Sequence, residues 1–319
     1  MNTRELIYII ARHSNWKTES IRAKLKETQV YPDAMAWLQF IKVFLIGLGT
    51  AFLGAGILFF FAYNWADLPK FGKLGLLEFL VVSLAAAVLF ARISPQVKDI
   101  LLTLNSVLVG ILFAVFGQIY QSGANTYDLF LIWTVSIFLW VLVSGFQPLW
   151  LLFICLVNTT IALYANQVAI YLASQIVLDI LFLVNAGFLL VWQLLAFKDI
   201  VAGPANWFIY ILGLAALSFL TVSLILGIFN SFNKDAGGSL ILAMVFYGLG
   251  IWYGIKGKNV FYLGSISFSI IMVLAAGIIR LGEESFVGIF LLVSLFVILS
   301  ITGLVHQIMQ LNRRWYGQK

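Results

Sequence analysis

The chain is a succession of apolar runs, each long enough to cross a bilayer as a helix. Ten are counted, at 43–62, 74–91, 100–117, 129–146, 148–165, 176–197, 206–229, 239–255, 260–279 and 286–309. About 20 apolar residues span the hydrocarbon as a helix. The runs are continuous and lack the two-residue alternation of a barrel strand, so helices are the spanning form. Composition agrees: 62% of residues are hydrophobic and 10% charged, against about 25% charged in soluble domains. The expected fold is all-α, a polytopic integral membrane helical bundle of about ten transmembrane helices. One stretch leaves nine spans open, because Ala165–Gln175 ("ANQVAIYLASQ") reads either as a loop or as part of a longer, tilted helix.

The basic residues supply an orientation. With the N-terminus in the cytoplasm, seven Lys/Arg from residues 1–42 join Arg92, Lys98, Lys198, Lys256, Lys258, Arg313, Arg314 and Lys319 on that side, fifteen in all. The outer side receives Lys70, Lys73, Lys234 and Arg280. That bias satisfies the positive-inside rule and places both termini in the cytoplasm. It also explains the net charge of +6 without a nucleic-acid partner.

Residues 1–41 read as a cytoplasmic appendage, 42–312 as the bundle and 313–319 as a basic tail. In the appendage, Leu6, Ile7, Ile10 and Ala11 recur at helical spacing among charges. Thr18 is the expected N-cap of a second short helix, which Tyr31–Asp33 ends. The two form an amphipathic hairpin suited to lipid headgroups or to a partner. No signal peptide is expected, since the first apolar run begins only near Val43. Cys155 is the only cysteine, expected as a small buried apolar residue. Gly47, Ala51 and Ala55 in the first span, and Gly250 and Gly254 in the eighth, are expected helix contacts.

Polar groups are concentrated on the outer side of this topology. Phe116–Trp133 ("FGQIYQSGANTYDLFLIW") joins spans three and four and carries Gln118, Tyr120, Gln121, Asn125, Tyr127 and Asp128 without a Lys or Arg. Glu78 is expected about one turn inside the second span, Asp128 at the start of the fourth, and Asp179 near the start of the sixth with Gln175 one turn earlier. A carboxylate gains about 0.3–1 kcal/mol at a helix N-terminus, which accounts for Asp128. A charge deeper in the bilayer faces a bundle interior or a wet cavity, the expectation for Glu78 and Asp179. The eight residues Glu78, Gln118, Tyr120, Gln121, Asn125, Tyr127, Asp128 and Asp179 are thus expected to line an outward polar cavity. Amides and tyrosines suit a small neutral polar solute or a lipid headgroup. The alternative for the loop is a cap over the bundle.

The stretch Gly117–Asn125 ("GQIYQSGAN") resembles the Gly-Gln-Ile-Tyr-Gln-(Thr/Ser)-Gly-Ala-Asp signature of an uncharacterised bacterial family of multi-spanning inner-membrane proteins, domain of unknown function 2157. Asn64–Trp65 and the amphipathic lead resemble it too. Asn125 stands where the family pattern has Asp. The resemblance implies a bacterial inner-membrane location and no activity.

His13 and His306 both fall on the cytoplasmic side, so the outer face has no imidazole for a triad or zinc site. No His-Glu-x-x-His, Gly-x-Ser-x-Gly or phosphate-binding loop occurs, and Gly248–Gly254 has the wrong spacing and context for a dinucleotide loop. No cofactor or metal is expected, and membrane lipids are the expected partners. The reading favours a transporter-like or solute-binding bundle over an enzyme. Its alternatives are a membrane enzyme on a lipid or lipid-linked glycan, using paired carboxylates, and a non-catalytic envelope scaffold or stress component.

Overall fold

A computed structural model of the chain describes residues 3–28, 34–63, 69–121, 123–198, 205–230, 236–282 and 286–316. Among these residues there are twelve helices and no strands. Two short ones, α1 (Thr3–Arg12) and α2 (Thr18–Glu27), precede ten long ones. These are α3 (Ala34–Tyr63), α4 (Lys70–Phe90), α5 (Pro95–Tyr120), α6 (Thr126–Ser144), α7 (Gln147–Gln167), α8 (Ser174–Phe197), α9 (Asn206–Phe229), α10 (Ala236–Lys256), α11 (Val260–Leu281) and α12 (Phe286–Tyr316). All ten contain a window long and apolar enough to cross a membrane. The fold is therefore a polytopic helical bundle, and the nine-span alternative falls. Between α7 and α8 the chain leaves the helix at Val168 and re-enters at Ser174.

The chain divides into two compact units, Met1–Ser122 and Gly123–Lys319. In the first, α1 packs on α2, and Ile7 and Leu25 are buried. The expected cap at Thr18 shifts by one residue, because the Lys17 carbonyl accepts the first helical bonds, from Ser20 and Ile21. Tyr31–Asp33 lies outside the described residues. Helix α3 begins at Ala34, well ahead of the apolar run that starts at Val43. Helix α5 packs against both α3 and α4. The small-residue stripe Gly47, Ala51, Ala55 does not make this contact: Ala51 and Ala55 are exposed, and Gly54 faces Leu104 of α5 instead. At 3.6 residues per turn, that contact selects a different face of α3.

In the second unit α6 packs on α7, α7 on α8, and α8 on α9. Helices α9, α10 and α11 pack against one another, α8 also touches α10, and α12 lies on α11. The Gly250–Gly254 expectation holds here. A Cβ at Gly250 would run into the Ile266 side chain, and one at Gly254 would sit 3.0 Å from Leu263. Small residues thus let α10 and α11 approach, as lipid-embedded helices require. Phe182 and Ala186 of α8 form an apolar core with Ala216, Leu220 and Leu224 of α9 and Ala243 of α10. Large apolar side chains such as Leu139, Leu291 and Ile298 are exposed, the arrangement expected when lipid replaces water as the solvent. Cys155 is exposed on α7 rather than buried, because the α7 contacts are made by Phe153, Ile154 and Leu156.

Candidate functional site

Asp179 is the sequence-selected residue around which the structure builds a polar cluster. It sits in the second turn of α8, about 8 Å along the axis from Ser174. Ser223 near the end of α9 donates its hydroxyl to Asp179 Oδ1 at 2.6 Å. Ser239 near the start of α10 donates to Oδ2 at 2.7 Å. Gln175, one turn before Asp179 on the same face of α8, donates Nε2 to the Ser239 oxygen at 2.9 Å. Gln175, Ser223 and Ser239 are buried, while Asp179 is partly exposed. Phe182, Leu220, Leu224 and Ala243 form the apolar core shared by these three helices.

Charge balance distinguishes this cluster from an ordinary buried ion pair. Among the described residues, no ion pair involves the Asp179 carboxylate, whose partners are hydroxyls. Each serine has one proton to give, and both protons go to the carboxylate. The 3.0 Å approach of the two hydroxyl oxygens is then not itself a hydrogen bond. A second arrangement is also fully paired. With a proton on Oδ1, Asp179 donates to Ser223, Ser223 turns its proton to Ser239, and Ser239 keeps its bond to Oδ2. The cluster can therefore gain or lose one proton without orphaning a buried polar atom, a condition that partly satisfied networks fail. Farther from these helix ends, Ser269 of α11 meets Thr221 at 2.5 Å and Tyr247 at 2.6 Å, a separate knot of hydroxyls.

The remaining sequence-selected residues divide between the two units. Glu78, Gln118, Tyr120 and Gln121 belong to the first unit. Glu78 is exposed and deeper than one turn, about 12 Å from the start of α4 at Lys70. Gln118 and Tyr120 are exposed in the last turn of α5, Tyr120 with its ring 4.6 Å from that of Phe116. Gln121 caps α5 in the left-handed conformation, at φ 43° and ψ 48°. In the second unit, Gly123 turns at φ +66° before α6 begins. Asn125 and Asp128 cap α6: the Asn125 N–H donates to Asp128 Oδ2 at 2.9 Å. The Tyr127 N–H donates to Gln167 Oε1 at 3.1 Å, and its ring stands edge-on to Tyr164 at 5.3 Å. This cap ties α6 to the end of α7. Among the described residues, no hydrogen bond or ring contact joins Asn125, Tyr127 or Asp128 to Asp179.

Sequence reasoning missed Ser223 and Ser239. Serine is ordinary in apolar spans, and these two come within reach of Asp179 only through packing across 44 and 60 residues. No group of three or more His, Cys, Asp or Glu able to hold a metal occurs among the described residues.

Ten apolar spanning helices with a polar cluster between three of them define a polytopic helical membrane protein. Residues 16–150 match the profile of the family described as predicted membrane protein (DUF2157). The match takes in both stretches that carry the sequence resemblance, and it ends before α8. No curated protein and no solved structure matches the chain.

Proposed function

We propose that the protein carries a small neutral polar solute across the bacterial inner membrane, with both termini cytoplasmic and Asp179 taking up and releasing a proton as it works. The observation that carries this reading is the Asp179–Ser223–Ser239 cluster. It is a carboxylate within a spanning helix, in no described ion pair and with complete hydrogen bonding in either protonation state. Groups of this kind inside membrane spans serve ion and proton pathways. The bias of Lys and Arg supports the orientation, which puts the cluster toward the outer leaflet.

The test uses the full-length protein in sealed vesicles with labelled glycerol, inositol, monosaccharides and disaccharides, with and without an imposed pH gradient. Uptake above that of empty vesicles, stimulated by the gradient and lost in Asp179→Asn, is the expected result. Uptake no faster than in empty vesicles for every solute overturns the transport reading. Uptake indifferent to the gradient removes Asp179 from the coupling role.

A further inference from the structure

The three helices around Asp179, together with α11, hold a second polar feature at their opposite ends. A cavity of about 430 Å³ opens where α8 ends and α9 begins, and the end of α10 and the start of α11 complete it. Its polar lining is Gln193, Asn206, Tyr210, Tyr253, Asn259 and Tyr262. Leu190, Leu194 and Ile209 supply the apolar part. The volume falls within the ordinary range for small-molecule sites, about 300–1,000 Å³.

The chemistry of the lining is narrow. No Asp, Glu, Lys, Arg or His is among the lining residues. Lys256, three residues beyond Tyr253, holds its Nζ over the Trp252 ring at 4.8 Å. The described lining therefore offers no charge with which to compensate an ionic ligand, and a buried unpaired charge is costly. Neutral hydrogen-bonding capacity is plentiful by contrast. The phenol oxygens of Tyr262 and Tyr210 accept long bonds from Gln193 (3.4 Å) and Asn259 (3.3 Å). The protons of these phenols, and that of Tyr253, enter no described hydrogen bond. Each remains a donor for something else.

The aromatic walls are also fixed. Tyr262 stands edge-on to Tyr253, with centroids 5.2 Å apart and an 85° interplanar angle, and edge-on to Tyr210 at 6.4 Å and 81°. Tyr210 in turn stacks on Phe261 at 4.0 Å. Asn259 caps α11 by accepting the Phe261 N–H at 3.0 Å, which holds its amide in place beside Tyr210. Tyrosines at span ends also serve as interfacial anchors. That role uses rings turned to the headgroups and needs no shared cavity or convergent amides.

We propose that this cavity is a binding site for a neutral polyhydroxylated ring, a sugar or cyclic polyol. Its hydroxyls would bond the amides and phenols, and its C–H faces would lie on the tyrosines and leucines. The inference stands on the cavity alone and holds whether or not the bundle transports. The experiment is titration of the full-length protein, in lipid nanodiscs free of glycolipid and glycosidic detergent, with glucose, inositol, a disaccharide, a sugar phosphate and tetramethylammonium. Calorimetry provides the reading, and intrinsic fluorescence of the ten tryptophans provides an independent one. Saturable binding of at least one neutral probe is expected. It should weaken about tenfold or more, the equivalent of one lost hydrogen bond at 1.4 kcal/mol, in both Gln193→Ala and Tyr262→Ala. Thr302→Ala, on α12 and outside the lining, should leave it unchanged. Asn206→Ala, at an exposed position, should also weaken binding and guards against a variant that fails to fold. No saturable binding of any neutral probe overturns the proposal. So does a preference for either charged probe, or neutral binding that all three cavity variants leave intact.

Discussion

Asn158 of α7 and Asn185 of α8 exchange side-chain amide hydrogen bonds at 3.1 and 2.8 Å. Asn185 is fully buried and gives its second amide proton to the Leu181 carbonyl at 2.8 Å. The two amides bond reciprocally inside the α7–α8 contact. Replacing one member by leucine orphans the other. In membrane proteins such interhelical bonds are worth about 0.6 kcal/mol on average and up to roughly 1.7. Asn185→Leu is expected to lose about 1–2 kcal/mol, since it also leaves Asn158 unpaired. The double variant Asn158→Leu/Asn185→Leu should regain part of that loss. Reversible unfolding in mixed micelles gives the coupling energy, and strictly additive losses would contradict the pairing.

The α10–α11 contact makes a sharper steric prediction. Gly250 has no room for a Cβ beside Ile266. Gly250→Leu should destabilise by about 1–3 kcal/mol through overpacking. Adding Ile266→Ala empties the space the new side chain needs and should restore part of the loss. Thermal unfolding of the two variants, compared with Ile266→Ala alone, decides the matter.

Gln121 adopts φ 43° and ψ 48° without being glycine. Left-handed backbone costs an ordinary residue roughly 1–2 kcal/mol, and β-branching makes the conformation worse. Gln121→Gly should therefore be neutral or stabilising, with Gln121→Asn close behind. Gln121→Val should lower stability by at least about 1 kcal/mol. Equal melting temperatures for the valine and glycine variants would contradict the backbone assignment.

The proposed orientation has a direct check. In a Cys155→Ser background, a cysteine placed by Gln121→Cys should react with a membrane-impermeant maleimide added to intact cells. One placed by Gln310→Cys, near the end of α12, should react only after the membrane is opened. The reverse pattern would invert the topology.

The spans were legible because hydropathy over a bilayer thickness depends on local composition alone. Even the doubtful Ala165–Gln175 stretch contained its answer, since Ser174 begins α8 and the break falls just before it. Helix ends were less legible. Helix α3 runs back to Ala34 through "AMAWLQFIK", a mostly apolar stretch in which Gln39 and Lys42 interrupted the run and hid a continuous helix. Within the candidate site, Asp179 and Gln175 could be read as polar groups one turn apart in an apolar run. Their partners could not, because nothing in the neighbourhood of Ser223 or Ser239 marks those serines among the others. The faces that meet are set by tertiary packing. The same limit hid the cavity, whose tyrosines at 210, 253 and 262 lie on three different helices.

The hydroxyls around Asp179 are not equivalent, and their substitution should show it. Ser223 makes its strong bond to the carboxylate alone, whereas Ser239 both donates to Asp179 and accepts from the buried Gln175 amide. Hydrogen bonds to charged groups contribute about 1.5–3 kcal/mol, and an orphaned buried donor costs about 1–3 kcal/mol. Ser239→Ala should therefore destabilise more than Ser223→Ala, since only the former strands Gln175. Asp179→Asn keeps one oxygen acceptor and turns its amide N–H₂ toward the other serine oxygen, so it should cost less than Ser239→Ala. Adding Gln175→Leu to Ser239→Ala removes the stranded donor and should recover part of the loss. Unfolding of these four variants in lipid nanodiscs gives the order. A Ser239→Ala protein as stable as the parent would mean that the cluster does not hold α8, α9 and α10 together in the way its geometry implies.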